Sequence, residues 1–169
     1  MAFGIVRTDL MYGTDVRTGL ASVKYLGSDG ATPTAIENGN VLKLGNLITG
    51  EREVYVGGDV AANDNVKDVV LVASPEVNYD ERIRNLDQYI NEAGKIVRGY
   101  RFHKGDVFSV TKDALDGNAT PAINDVVEFK AGTKLNVASS ATSGSTVLGK
   151  IIAIETAGRY TYYVIRVEA

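Results

Sequence analysis

The 169-residue chain contains no cysteine and one histidine. Disulfides and thiolate metal sites are therefore excluded, and a single imidazole leaves any metal to oxygen ligands. A serine nucleophile would have to take His103 as its base, and no Gly-x-Ser-x-Gly elbow is present to offer the serine. There is no Walker loop and no Gly-x-Gly-x-x-Gly turn. No run of about 18 apolar residues occurs, so no membrane-spanning helix is expected. The opening Met1-Ala2-Phe3-Gly4-Ile5-Val6-Arg7-Thr8-Asp9 does not read as a signal peptide. A formal net charge of −3 supplies no overall basic field for nucleic acid. The missing disulfides favour cytosolic synthesis or a fold stabilised by assembly.

Hydrophobic residues make up 44% and charged residues 23%, which suits one globular domain or two small ones. Residues 1–77 carry six basic and ten acidic side chains, whereas 78–112 carry seven and five, so the character of the chain changes near Asn78. Strand-like apolar runs are Val41-Leu42-Lys43-Leu44, Glu53-Val54-Tyr55-Val56 and the fully apolar Val69-Val70-Leu71-Val72. Further strands are expected on both sides of Gly105-Asp106, at Val126-Val127-Glu128-Phe129 and at Lys134-Leu135-Asn136-Val137. The clearest hairpin runs from Lys150–Glu155 into Tyr160–Glu168, with Tyr163, Ile165 and Val167 on the inward face. One prominent α-helix is predicted over about 79–93. Asn78 and Glu81 would cap it, Ile83, Leu86, Ile90 and Ala93 would form its apolar stripe, Asp80 would pair with Arg84, and Gly94 would end it. The expected fold is mainly β with that helix and a small C-terminal β-barrel or sandwich. The expected division is an arm or irregular segment at 1–38, strands plus helix at 39–96, and a small barrel at 97–169, the last two able to form one compact domain.

Candidate chemistry is sparse. His103 reads as a surface or satisfied histidine. Asp59, Asn63, Asp64, Asn65 and Asp68 could approach a cation, but the stretch lacks the glycine and glutamate of a calcium loop and reads as a solvated acidic loop. The cluster Lys95, Arg98, Arg101 and Lys104 is open to three readings: a protein interface, a solvated face, or nucleic acid with Tyr100 and Phe102 as stacking rings. Strand alternation places those rings in the core and the charges at its rim. In the first 38 residues, Phe3, Ile5, Val6, Leu10, Met11 and Tyr12 supply apolar content without a self-packing period. That suggests either a partner-facing arm or irregular strands packed on the chain itself. Candidate interface residues are Phe3, Ile5, Arg7, Tyr12, Lys95, Arg98, Arg101 and Lys104. No catalytic, cofactor or metal residue is indicated. A hydrolase with an unrecognised carboxylate site is a distant competitor.

The stretch Val72-Ala73-Ser74-Pro75-Glu76-Val77-Asn78-Tyr79-Asp80-Glu81, continuing through Asn91-Glu92-Ala93-Gly94-Lys95-Ile96-Val97-Arg98-Gly99-Tyr100 to Gly105-Asp106-Val107-Phe108-Ser109-Val110-Thr111, resembles head decoration proteins of tailed bacteriophages infecting Gram-positive bacteria. The hairpin opening Gly149-Lys150-Ile151-Ile152-Ala153-Ile154-Glu155 is similar to the final hairpin of small β-barrel decoration proteins. The likeness covers roughly residues 40–169. It implies a capsid cement protein made in the host cytoplasm and placed on the virion exterior, with the major capsid protein lattice as partner. Self-association as a dimer or trimer is compatible with it, and neither nucleic acid nor membrane is implied. The competing expectation is a carbohydrate- or receptor-binding module, for which the nine tyrosines would be the resource.

Overall fold

The computed structural model describes residues 3–7, 19–77, 80, 82 and 85–169. Two sheets carry the described chain. Strands β1 (Leu20–Tyr25), β2 (Val41–Leu47), β3 (Val54–Gly58), β4 (Val69–Val72) and β5 (Ile96–Arg101) close into a barrel in the order β1-β3-β2-β4-β5. Strands β6 (Val107–Thr111), β7 (Leu115–Gly117), β8 (Val126–Glu128), β9 (Leu135–Ala138), β10 (Val147–Ala157) and β11 (Tyr160–Val167) form a six-stranded sheet in the order β6-β11-β10-β8-β9-β7. The chain is thus mainly β and contains a barrel. The closed barrel lies at residues 20–101, however, and the C-terminal strands form the neighbouring sheet. Strand β1 falls within the segment that the sequence leaves irregular, and it pairs parallel to β3 and antiparallel to β5.

The apolar run of β4 explains how the two sheets join. Val70 and Val72 point into the barrel with Val23, Leu42 and Val97. Val69 and Leu71 point the other way, into a core shared with Phe108, Val110, Leu148, Ile151 and Ile165 of the second sheet. A strand buried on both faces has no polar alternation to show, which is why all four residues are apolar. The barrel interior is narrow. A Cβ at Gly57 would stand 2.6 Å from Val23 Cγ1, and one at Gly99 would stand 2.8 Å from Val70 Cγ2. Glycine is required there for close approach of the strands.

In the second sheet the β10–β11 hairpin shifts register between Ile151 and Ala153. Ile165 and Val167 are buried in the shared core and Tyr163 packs against it. The opposite face of β11 is covered too: Tyr162 is 2% exposed, with the Arg7 guanidinium 5.4 Å from its ring centroid. Residues 3–7 reach this place by pairing with the edge of β6. Val6 bridges Val110, Arg7 N–H donates to Ser109 O and Thr111 N–H donates to Ile5 O. An otherwise open sheet edge is thereby covered.

The described residues of the predicted helix over 79–93 are not helical, and no α-helix occurs among the described residues of the chain. Leu86–Gln88 form a single 3-10 turn, and Tyr89 continues in extended conformation. The bonds a helix would use are spent elsewhere. Asp87 O accepts from Phe3 N–H at 3.0 Å, and Asn91 exchanges both backbone bonds with Ile36, at 2.9 and 3.0 Å. Long-range pairing outcompetes an amphipathic pattern that carries only modest intrinsic preference. Leu86 is accordingly 38% exposed and not part of a buried stripe, and Gly94 closes a turn. Asp80 pairs with Arg82 at 2.8 Å. Asn78, Tyr79, Glu81, Ile83 and Arg84 lie outside the described residues.

Asn38, fully buried, ties three segments together. Its Nδ2 donates to Ser74 O at 2.9 Å, and its Oδ1 accepts from Ser74 N–H and from Asn91 Nδ2, both at 3.0 Å. Asn91 Nδ2 also donates to Ile36 O. We expect Asn38→Ala to cost about 3 kcal/mol, because buried partners lose their hydrogen bonds together. Urea unfolding measures this, and a midpoint equal to that of the parent would show the network to be dispensable.

A second buried polar group, Glu128 at 1% exposure, holds the serine-rich loop after β9. Its carboxylate accepts from Asn136 Nδ2 and Thr142 N–H, each at 2.8 Å, and from the Thr142 hydroxyl. Burial pushes the carboxyl up, but these donors more than reverse that and leave it below its ordinary value of 4.5. A depressed folded-state value means that the stabilisation is present above the ordinary value and is lost as pH falls below it. Unfolding measured across this acid range should lose less stability in Glu128→Gln than in the parent, and equal pH slopes would contradict the assignment.

Candidate interface grooves

The linear basic cluster Lys95 to Lys104 is not one patch. Strand β5 carries its N-terminal half to one groove and its C-terminal half to another. On the outer face of the barrel, β1 and β5 pair so that Ser22 stands opposite Arg98 and Lys24 opposite Ile96. Residue parity therefore puts Leu20, Ser22, Lys24, Ile96 and Arg98 on one face, away from Val23 and Val97 inside. Leu20 is 43% and Ile96 56% exposed, high values for large apolar side chains. This face borders a groove of about 570 Å³ that Pro75, Tyr89 and Lys95 also line. Lys95 pairs with Glu92 at 2.8 Å. The Arg98 guanidinium has no carboxylate partner among the described residues. Tyr89 O–H donates to Asn91 Oδ1 at 3.2 Å, and burial pushes its phenol above the usual value.

Arg101 and Lys104 line the second groove, of about 740 Å³, where the barrel meets the second sheet. Across it stands the loop 63–67, ending in the 3-10 turn Val66–Asp68. Arg101 lies over the Tyr55 ring at 5.9 Å, and its backbone N–H donates to Gly19 O. Phe102 is buried and packs against Phe108 at 5.6 Å between ring centroids. Strand alternation thus separates aromatic from charged residues here. His103 is half-buried. Its backbone N–H donates to Asp106 Oδ2 at 2.9 Å, and its Nδ1 stands 3.5 Å from the same oxygen.

The remaining candidates are dispersed. Ile5 is 1% exposed and belongs to the chain's own interior, which removes it from any surface. Phe3 is half-buried, with its N–H on Asp87 O, and Arg7 is half-buried over Tyr162. Tyr12 lies outside the described residues. The acidic stretch is used internally: Asp59 accepts from the Tyr25 hydroxyl at 2.7 Å, Asp64 takes Lys43 and Ala61 N–H, and Asn65 caps the 3-10 turn. Among the described residues no three His, Asp or Glu side chains are placed to hold a metal ion. No described helix is long and apolar enough to cross a membrane. The groove of Lys67 and Asn63 was not legible in the sequence, because they precede His103 by 36 and 40 positions and come beside it through the pairing of β4 with β5.

In class, the described residues form a mainly β chain in which a closed five-stranded barrel abuts a six-stranded sheet, with a surface groove at each end of β5. No protein-family model, curated protein or solved structure matches it.

The exposure of Ile96 predicts that Ile96→Asp changes stability by no more than about 0.5 kcal/mol. Urea unfolding checks this, and a loss of several times that size would place Ile96 in a packed environment.

Proposed function

We propose that the chain is a virion structural protein that binds and reinforces the outer surface of a tailed-phage capsid. The observation that carries this reading is the outer face of β1 and β5, where Leu20 and Ile96 are exposed beside Arg98. Exposed apolar side chains flanking an arginine are the composition of a protein-contacting surface. The resemblance of the segment from Val72 to Thr111 to phage head decoration proteins gives the partner, a major capsid protein lattice. In this reading the work is done by binding energy, and no reaction is catalysed. Repeated attachment across a lattice makes weak single contacts effective together.

A carbohydrate-binding module would need exposed aromatic rings. The seven described tyrosines are all buried or half-buried, and Tyr160 and Tyr162 are packed edge to face, 6.4 Å apart, which favours the capsid reading. The test is sedimentation of purified protein with undecorated tailed-phage capsids. Co-sedimentation in the micromolar range is expected, with Ile96→Asp weakening it about tenfold. Protein that stays in the supernatant while binding reproducibly to a glycan array would replace this reading with the carbohydrate module.

A further inference from the structure

We infer that the groove between the barrel and the second sheet is a docking site for an acidic, apolar-bearing extended segment of the partner protein. The inference rests on the reading of this chain as a protein that binds another protein, and it adds the chemistry of what is bound.

Three cations converge on the groove from separate parts of the chain: Lys67, Arg101 and Lys104. None has a carboxylate partner among the described residues. The one acidic side chain in the wall, Asp64, is already engaged by Lys43 and by Ala61 N–H. Phe102 and Val66 give the wall an apolar part. Positive charge next to apolar surface is complementary to carboxylates alternating with apolar side chains, as on one edge of an extended peptide.

The cations are also held in place. Lys67 sits in a 3-10 turn whose preceding Asn65 side chain accepts from the Lys67 backbone N–H at 3.0 Å. Lys104 sits in a turn closed by Asp106, which accepts from His103 N–H through its carboxylate and donates its own N–H to His103 O. Arg101 is laid over Tyr55. Fixed backbone beneath the charges lowers the ordering cost of binding. A nucleic acid strand is the less suitable occupant, because it carries a phosphate at every nucleotide against three groove cations and has no aliphatic side chains for the apolar part of the wall.

The probe is a short fluorescent peptide alternating Glu and Leu, measured by anisotropy against the intact chain. The variants are Lys67→Glu/Lys104→Glu and, as a control of equal charge change, Arg52→Glu/Lys130→Glu. All four side chains are exposed, so melting temperatures should stay close to that of the parent. We expect the groove pair to weaken peptide binding about tenfold or more and the control pair to change it by less than about threefold. Equal losses in both variants, no binding by the parent, or tighter binding of a single-stranded oligonucleotide than of the peptide would each overturn the inference. The same variants sedimented with capsids separate the two readings. Full capsid binding by Lys67→Glu/Lys104→Glu would discard the groove and leave the capsid reading standing. Peptide binding without capsid binding by the parent would do the reverse.

Discussion

The side-chain amide of Asn38 is the interaction on which the arrangement of the chain depends. It substitutes for a strand partner where no strand runs: one amide satisfies the backbone of Ser74 after β4 and the side chain of Asn91 before β5. Both partners flank the long connection that returns the chain from β4 to its neighbour β5. Asn38 is followed by Gly39, whose N–H bonds Val72 O, and then by β2, so the same few residues also set the register of β2 against β4. A buried amide with no partners would be costly, and this one has them only if all three segments meet. The network therefore discriminates strongly between this path of the connection and others.

From that junction the rest follows by burial on two sides. Val69 and Leu71 belong to one core and Val70 and Val72 to another, so β4 is a wall shared by the barrel and the sheet. β2 does the same with Val41 and Leu42. Polar joints fix the contact further: Val60 bridges Gly132, Val41 N–H donates to Thr133 O at 2.7 Å, and Thr146 N–H donates to Ala62 O at 2.7 Å. Apolar burial supplies the driving force and the directional bonds fix the relative placement.

The strands were legible where their signal was local. The apolar run Val69–Val72, the final hairpin and the turn at Gly105 all lie where period-two alternation and turn chemistry put them. The sequence points to a helix because Ile83, Leu86, Ile90 and Ala93 satisfy a helical period, whereas the competing bonds, Phe3 to Asp87 and Ile36 to Asn91, join residues more than 50 positions apart. No window along the sequence contains both partners of such a bond. The position of the barrel is hidden in the sequence for a related reason. Its closure rests on β1, whose burial alternates in Leu20–Tyr25, but the sequence there reads Leu-Ala-Ser-Val-Lys-Tyr, with an alanine at an inward position and a leucine at an outward one. Closure by parallel pairing with β3 leaves no hairpin turn to signal it.

The same distinction between chain distance and space governs the basic cluster. Lys95, Arg98, Arg101 and Lys104 recur every three residues, a spacing that would bring them to neighbouring positions on a helix. On β5 the spacing has the opposite effect. A step of three residues is odd, so Arg98 and Arg101 point to opposite faces of the strand, and a rise of about 3.3 Å per residue separates the ends of the cluster by nearly the length of the barrel wall. Conversely, Lys67 joins Arg101 and Lys104 although it precedes them by more than 30 residues. Whether a run of charges is one binding surface is thus decided by the period of the element that carries it. For this chain the strand period divides one apparent cluster between two grooves, and the pairing of β4 with β5 brings to the second a cation that the run did not contain.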